Sequence, residues 1–324
     1  MAEGTVRVGA IDCGTNSIRL LVADVDPSTG ALTDMRRQME IVRLGHGVDR
    51  TGVIAPESME RTLAVTREYA AACRELGAAA VRFVATSASR DAKNAADFIE
   101  GVRTAFQEHY GDEVSPEVVS GDEEAALSFA GATGGLAAQG VPGPYVVVDL
   151  GGGSTELVRG TEHVEAARSV DIGCVRMTER HLVSDPPSAD EIAAATRDID
   201  AALDVAESTV PLEGVSALVG LAGSVTTITA HLLRLPAYDP ERIHLSHAPV
   251  ADVLAACDDL LAMTRADRAA LPYMHPGRVD VIGAGALVWR RVVERVADRA
   301  GIAEVITSEH DILDGIALSV ARRP

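Results

Sequence analysis

The sequence predicts an α/β fold built twice, with a site between the two halves. Three observations predict it. First, Val6–Val25 (VRVGAIDCGTNSIRLLVADV) and Pro144–Gly160 (PYVVVDLGGGSTELVRG) share one pattern: an apolar run, Asp-x-Gly-x-x-Ser, and a second apolar run. Asp12 aligns with Asp149, Gly14 with Gly151 and Ser17 with Ser154, all at one offset. Second, Val81–Arg90 (VRFVATSASR) and Ala217–Thr227 (ALVGLAGSVTT) each read as a strand that ends in small hydroxyl residues ahead of a helix. Third, strand patterns alternate with helical ones along the chain, which is the order of an α/β protein. A length of 324 residues suits two domains.

In chain order, each copy of the repeat reads as a buried strand, a tight glycine turn and a returning strand. Pro56–Leu76 carries Leu63, Val65, Tyr69, Ala72 and Leu76 at helical spacing and stops at Gly77. Asp91–Tyr110 reads as a second helix, and Glu123–Ala130 as a short one opened by Gly121 and Asp122. Gly131–Pro144 (GATGGLAAQGVPGP) is rich in Gly and Pro and reads as an exposed loop near a domain boundary. Further helices are expected at Ser188–Glu207, Val225–Leu233, Ala248–Arg265, Pro276–Arg299 and Glu309–Val320, with Leu235–Pro249 as an irregular loop. Charge runs such as Asp198–Asp204 read as solvated helix faces, and Trp289 and Tyr273 as core or interface.

Composition excludes several classes. Hydrophobic residues at 47% and charged residues at 24% argue against wholesale disorder. A net charge of −19 disfavours nucleic acid and acidic membranes as partners, because polyanions are captured by basic surface. Any anionic ligand must be held by a local site that works against the global field. Aromatics at 3% leave no stacking platform for single strands. Cys13, Cys73, Cys174 and Cys257 form no CxxC pair, so neither a zinc site nor a disulfide framework is expected. No signal-peptide core and no long apolar span is seen, and a cytoplasmic protein with reduced thiols fits these features.

The repeated turns suit a phosphate chain. Successive peptide N–H groups cradle phosphate oxygens, and Thr15, Ser17, Ser154 and Thr155 add hydroxyls. Asp12 and Asp149 only accept hydrogen bonds when ionised, so each needs a Mg²⁺ or a water between itself and a phosphate. A single such hairpin is weak evidence; two at fixed spacing are stronger. In Thr86–Asn94 (TSASRDAKN), Arg90 and Lys93 stand three apart, facing one way on a helix. An arginine fork there suits a phosphate clamp, although a solvated helix start reads equally well. Asp122, Glu123 and Glu124 at a helix start either complement the helix dipole or hold a general base. Glu156 shares a strand face with Ser154 and points to a metal or a water. His244 and His247 read as surface-loop histidines, His275 and Arg278 as residues within reach of a cleft, and His310 as structural.

In their order along the chain, DCGTNS, TSASRDAKN, SGDEEAALSF, DLGGGSTELV, DIGCVRMTER, GLAGSVTTI and HPGRVDVIGAGA resemble the Ppx/GppA family of exopolyphosphatases and guanosine pentaphosphate phosphohydrolases, in its short actinobacterial form. The resemblance runs from Val6 to about Gly315 and implies a duplicated actin-like, ribonuclease-H-like fold with the active cleft between the domains. It divides the chain at 1–122 and 123–308, with a final helix at about 309–324 returning to the first domain. It places the catalytic glutamate, the one followed by Ala in SGxEEA, on Glu124 and the phosphate-clamping arginine on Arg90. Metal and water handling falls on Asp149 and Glu156, with Asp12 as the first-hairpin counterpart. Phosphate binding falls on Gly14, Thr15, Asn16, Ser17, Gly151, Gly152, Gly153 and Ser154, and on a third turn containing Gly223 and Ser224. Ile312–Gly315 (ILDG) departs from the family's Leu-Arg-Glu-Gly, and the extra C-terminal module of long members has no counterpart in this sequence, so a weaker grip on long polyphosphate is expected.

These readings imply a Mg²⁺-dependent (or Mn²⁺-dependent) phosphoanhydride hydrolase that removes the terminal phosphoryl group of inorganic polyphosphate, with guanosine pentaphosphate as an alternative or additional substrate and a homodimer as the expected assembly. The rivals are a small-molecule kinase on the same fold and a non-catalytic polyphosphate or alarmone sensor.

Overall fold

Two apolar runs build the heart of the first sheet. β1 (Val6–Cys13) and β2 (Ser17–Val25) form an antiparallel hairpin, and β3 (Leu32–Ile41) extends it antiparallel to β2. On the other side β4 (Ala80–Ala85) runs parallel to β1 and β5 (Glu117–Val118) parallel to β4, giving the order β3-β2-β1-β4-β5. One face carries Ile11, Cys13, Ile18, Leu20 and Val22, packed with Phe83, with Tyr69 of α2 (Pro56–Glu75) and with Phe98 and Phe106 of α4 (Ala95–His109). The other carries Val8, Ala10, Leu21, Ala23 and Val25 against Leu127 of α5 (Gly121–Thr133) and Leu313 and Ile316 of α13 (Ile312–Ala321). Burial on both faces is why β1 and β2 read as near-continuous apolar runs. The short helices α1 (Val48–Thr51) and α3 (Ser87–Asp91) lie in the connections. In the ILDG stretch Asp314 is fully buried and held by Arg37 Nη2 at 2.6 Å. Gly315 approaches α5 so closely that a Cβ there would lie 2.0 Å from the Leu127 carbonyl oxygen.

The second sheet repeats the first. β6 (Tyr145–Leu150), β7 (Thr155–Gly160) and β8 (Val164–Val170) are antiparallel neighbours. β9 (Ala217–Leu221) runs parallel to β6 and β11 (Glu304–Thr307) parallel to β9. β8-β7-β6-β9-β11 thus matches β3-β2-β1-β4-β5 in order and direction, with β10 (Ser246–Pro249) added at the edge. The core beneath it includes Val146, Val148 and Leu150, with contributions from α6 (Cys174–His181), α7 (Ala189–Glu207), α8 (Ala222–Leu232), α10 (Val250–Ala262) and α12 (Ile282–Ala300). α9 (Pro240–Ile243) and α11 (Arg265–Ala269) are single turns. Trp289 of α12 packs so tightly on β9 that a Cβ on Gly220 would meet its ring at 2.5 Å. α7 begins with a capping box between Ser188 and Glu191.

The structure, a computed structural model, describes residues 4–112, 114–136 and 139–322. By internal contacts the chain divides into Met1–Gly131 with Ile312–Pro324, and Ala132–Asp311. No helix among the described residues is long and apolar enough to cross a membrane.

Several sequence expectations are corrected. The helix expected over Asp91–Tyr110 begins at Ala95, and Arg90 belongs to the separate α3. Between them Lys93 N–H bonds to the Gly52 carbonyl and Asn94 Oδ1 accepts Ile54 N–H, tertiary bonds that hold this stretch out of a helix. Arg90 and Lys93 therefore do not share a helical face. The helix expected over Ala248–Arg265 is β10, α10 and then a separate α11, because the edge of β11 takes up Ser246–Pro249. Leu235–Pro249 accordingly contains α9 and β10, the former started by Pro240 with Asp239 as its cap. The helix expected from Pro276 starts at Ile282, after a 3₁₀ turn at Pro276–Arg278. The last helix starts at Ile312; before it, His310 N–H donates to Ser308 Oγ, which turns the chain locally. α5 runs on through Thr133, into the stretch read as a loop, where Leu136 is also buried; residues 137–138 of that loop, like 323–324 of the last segment, lie outside the described residues. The Asp198–Asp204 face is not merely solvated: Asp200 pairs with Arg291 and Asp204 with Arg295, tying α7 to α12.

Candidate active site

In the first unit, the turn between β1 and β2 closes with Gly14 N–H on the Ser17 carbonyl at 2.9 Å. The carbonyl of Thr15 takes Gly45 N–H, and that of Asn16 takes the N–H groups of Val42 and Arg43. The Thr15 and Ser87 hydroxyls lie 2.8 Å apart, where β4 passes into α3. Thr86, Ser87 and Ser89 are all buried there. Arg90 at the end of α3 donates Nη1 both to the Val119 carbonyl at 2.9 Å and to Glu124 Oε2 at 2.8 Å. Two residues singled out in the sequence, one as clamp and one as base, are thus an ion pair. Glu124 is 8% exposed on the first turn of α5. Its neighbour Glu123 accepts from Arg82 at 2.5 Å, so it is an ion-pair partner as well as a helix-start charge.

In the second unit the carbonyls of the glycine turn are taken up by the start of α6. Gly151 O accepts from Cys174 N–H, Gly152 O from Val175 and Arg176 N–H, and Gly153 O from Gly173 N–H and from Arg176 Nε at 2.7 Å. What this turn can offer a ligand is therefore peptide N–H and the Ser154 hydroxyl, which is the chemistry of an anion cradle. Gly173 crosses it at close range: a Cβ there would meet the Gly152 carbonyl at 2.3 Å. The third turn, between β9 and α8, places Ala222 at a φ of 68° and packs Gly223 on the Arg278 guanidinium. Arg278 Nη1 donates to Thr227 Oγ1 at 3.1 Å, and Thr227 in turn to the Gly223 carbonyl at 2.6 Å. Ser224 is buried beside Cys174, whose thiol is pushed up by burial.

The two hairpins differ at one informative position. Asp12 stands opposite Arg19 across β1 and β2, and Arg19 Nε and Nη2 both reach Asp12 Oδ2, at 3.0 and 2.7 Å. Asp149 stands opposite Glu156 across β6 and β7, and both are buried. Like charges directly opposite each other destabilise a strand pair unless a proton or cation intervenes. Ser169 donates to Glu156 Oε1 at 2.7 Å and orients it. Two carboxylates side by side suit Mg²⁺, which commonly takes one or two protein carboxylates and fills its remaining positions with water and phosphate oxygens. Among the described residues no group of three or more His, Cys, Asp or Glu could hold a metal alone.

Arg176 and Arg19 went unassigned from sequence. Arg19 was accessible there, since it occupies in the first repeat the place of Glu156 in the second. Arg176 carries no periodic signal, and only the fold brings it to the Gly153 carbonyl. His247 is exposed on β10 near Glu304, whereas His244 is half-buried and stacked on His310 with ring centroids 4.3 Å apart, which corrects its reading as a surface-loop residue. His275 caps the 3₁₀ turn by accepting Gly277 N–H.

Comparison with known proteins agrees with this arrangement. The Ppx/GppA phosphatase family matches residues 21–320. A Mycobacterium tuberculosis protein named exopolyphosphatase 2 is 51% identical over 97% of this chain and 98% of its own. Exopolyphosphatase 1 of Mycobacterium bovis is 31% identical over 87% of this chain and 80% of its own. The crystal structure of an exopolyphosphatase-like protein superposes with a TM-score of 0.93 at 42% identity, covering 99% of both chains. The Aquifex aeolicus Ppx/GppA enzyme superposes with a TM-score of 0.77 at 28% identity, over 97% of this chain and 99% of its own. The duplicated sheet is the actin-like fold of these proteins. With its paired hairpins, its arginine-held glutamate and a match over nearly its whole length, the chain belongs to the Ppx/GppA phosphatase family.

Proposed function

We propose that this chain is a metal-dependent exopolyphosphatase that releases terminal orthophosphate from inorganic polyphosphate, with the terminal 5′-phosphate of guanosine pentaphosphate as an additional substrate. The observation that carries the reading is Glu124, a buried carboxylate fixed by Arg90 at 2.8 Å on a helix start. A carboxylate held in one orientation can align an attacking water and take its proton. Arg90, already in place, supplies a guanidinium for the phosphoryl oxygens as charge spreads over them. Peptide N–H groups and hydroxyls of the turns at Gly14–Ser17, Gly151–Ser154 and Gly223–Ser224 bind phosphate oxygens. Asp149 and Glu156 would hold the divalent cation, Mg²⁺ or Mn²⁺; Asp12 would first have to release Arg19. When bound, such a cation neutralises negative charge on the phosphates of substrate and leaving group. The 51% identical relative named exopolyphosphatase 2 supports polyphosphate as substrate. Four free, buried cysteines support a cytoplasmic setting.

The test is phosphate release from short polyphosphate, long polyphosphate and guanosine pentaphosphate, each with Mg²⁺ and with chelator. Release from polyphosphate that stops on chelation supports the proposal. Transfer seen only with an organic acceptor would establish a kinase, and binding without turnover a sensor.

A further inference from the structure

We infer that Arg82 is a positioning residue, which sets the rotation of the first turn of α5 and through it the aim of Glu124. The inference rests on the reading of Glu124 as the base. Arg82 lies on β4 and is 5% exposed. Its Nε and Nη2 reach Glu117 Oε2 on β5 at 3.0 and 2.6 Å, Nη2 also reaches Glu123 Oε1 on α5 at 2.5 Å, and Nη1 donates to Ser319 Oγ on α13 at 2.8 Å. One buried guanidinium therefore ties a strand and two helices together.

Consecutive residues on a helix project about 100° apart. Glu123 and Glu124 are consecutive, and each is gripped by its own arginine: Glu123 by Arg82, Glu124 by Arg90. Both arginines come from the single stretch that runs from β4 into α3. The first turn of α5 is thus held from two directions, and rotating it about its axis breaks one grip or the other. Backbone bonds add to this, with Glu124 N–H on the Ser120 carbonyl and Glu123 N–H on Ser120 Oγ. Burying an arginine carries a desolvation cost that an apolar residue at the same place would avoid. What an arginine adds is a rigid planar fork that meets several acceptors at fixed angles. Lysine keeps the charge but not the fork.

The experiment measures kcat and KM on polyphosphate for wild type, Arg82→Lys, Glu124→Gln and the double variant, each scaled to its folded fraction from near-ultraviolet circular dichroism. Arg82→Lys is expected to lower kcat on the order of 10–10²-fold, the scale of an ångström-sized misplacement, with KM little changed. The double variant is expected to be no slower than Glu124→Gln alone, because an aim no longer matters once the base is gone. Glu117→Gln, which loosens the same fork at an outer carboxylate, should show a smaller fall and the same non-additivity. Ser319→Ala, which frees α13 but not α5, should lower the melting temperature and leave kcat unchanged. Multiplicative losses in the double variant, or an equal kcat loss in Ser319→Ala, would overturn the inference while leaving Glu124 as base. Near wild-type kcat in Glu124→Gln would overturn the base assignment itself, and the inference with it.

Discussion

Asp12 and Asp149 occupy the same place in two copies of one hairpin, and a single residue opposite each gives them different chemistry. Arg19 pairs with Asp12, whereas a second carboxylate, that of Glu156, stands opposite Asp149. The metal requirement should therefore track Asp149. Asp149→Asn is expected to raise the Mg²⁺ concentration needed for half-maximal rate, and Asp12→Asn to change it less; Mg²⁺ titrations of the two variants check this, and equal shifts would refute the asymmetry. Glu124→Gln keeps the size of the side chain and an acceptor for Arg90 but cannot take a proton from water. Its kcat should fall about 10²–10⁴-fold, the usual loss for a general base, while polyphosphate affinity holds or improves because a negative charge has left. Glu123→Gln should cost far less, since a glutamine oxygen still accepts from Arg82 and Glu117 still holds it. Asp122→Asn should likewise cost little. Steady-state kinetics of the three variants side by side decide the matter.

At the scale of elements, the glycine turn of the second unit, proposed to bind phosphate, is only as well placed as the start of α6 that binds its carbonyls. Gly173→Ala would push a methyl group into the Gly152 carbonyl and the Gly153 nitrogen, which a Cβ would meet at 2.3 and 2.4 Å. Both are backbone atoms of the turn, so it must move. We expect a fall in kcat/KM at least as large as that of Ser154→Ala, together with a lower melting temperature; unchanged kinetics would show that the turn does not bind phosphate. The start of α7 supplies a pH signature. Glu191 accepts backbone N–H groups of Ser188, Ser184 and Val183, and its pKa is lowered to about 2. The folded value lies below the unfolded one of about 4.3, so this stabilisation is fully present above about pH 5 and is lost as pH falls towards 2. The melting-temperature difference between wild type and Glu191→Gln should shrink over that interval. A difference that stays constant with pH would refute it.

At the scale of the whole molecule, a charge of −19 would repel a polyanionic substrate at long range, while on the proposed function Arg90 would act at contact. Salt screens the exposed long-range repulsion more than the partly buried contacts, with a Debye length of about 10 Å at 0.1 M. At fixed, saturating Mg²⁺, kcat/KM for polyphosphate should therefore rise as monovalent salt goes from about 10 to about 100 mM. A fall would mean that a local basic field dominates the encounter.

The family resemblance singled out Glu124 from Asp122 and Glu123, while the residues by themselves determined the duplication, the two hairpins and Asp12, Asp149 and Arg90 as candidates. These are local signals: doubly buried strands read as apolar runs, and tight turns demand glycine at set positions. β3 (LTDMRRQMEI), β5 and β8 were not legible, because largely exposed or very short strands carry little apolar pattern of their own. The break between α3 and α4 was equally hidden, since it is made by bonds from Lys93 and Asn94 to Gly52 and Ile54, some forty residues earlier in the chain. Only the tertiary structure decided which charges meet. The pairing of Arg90 with Glu124, of Arg82 with Glu117 and Glu123, and of Arg37 with Asp314 depends on where distant elements pack, and a Coulomb interaction is set by distance in space rather than along the chain.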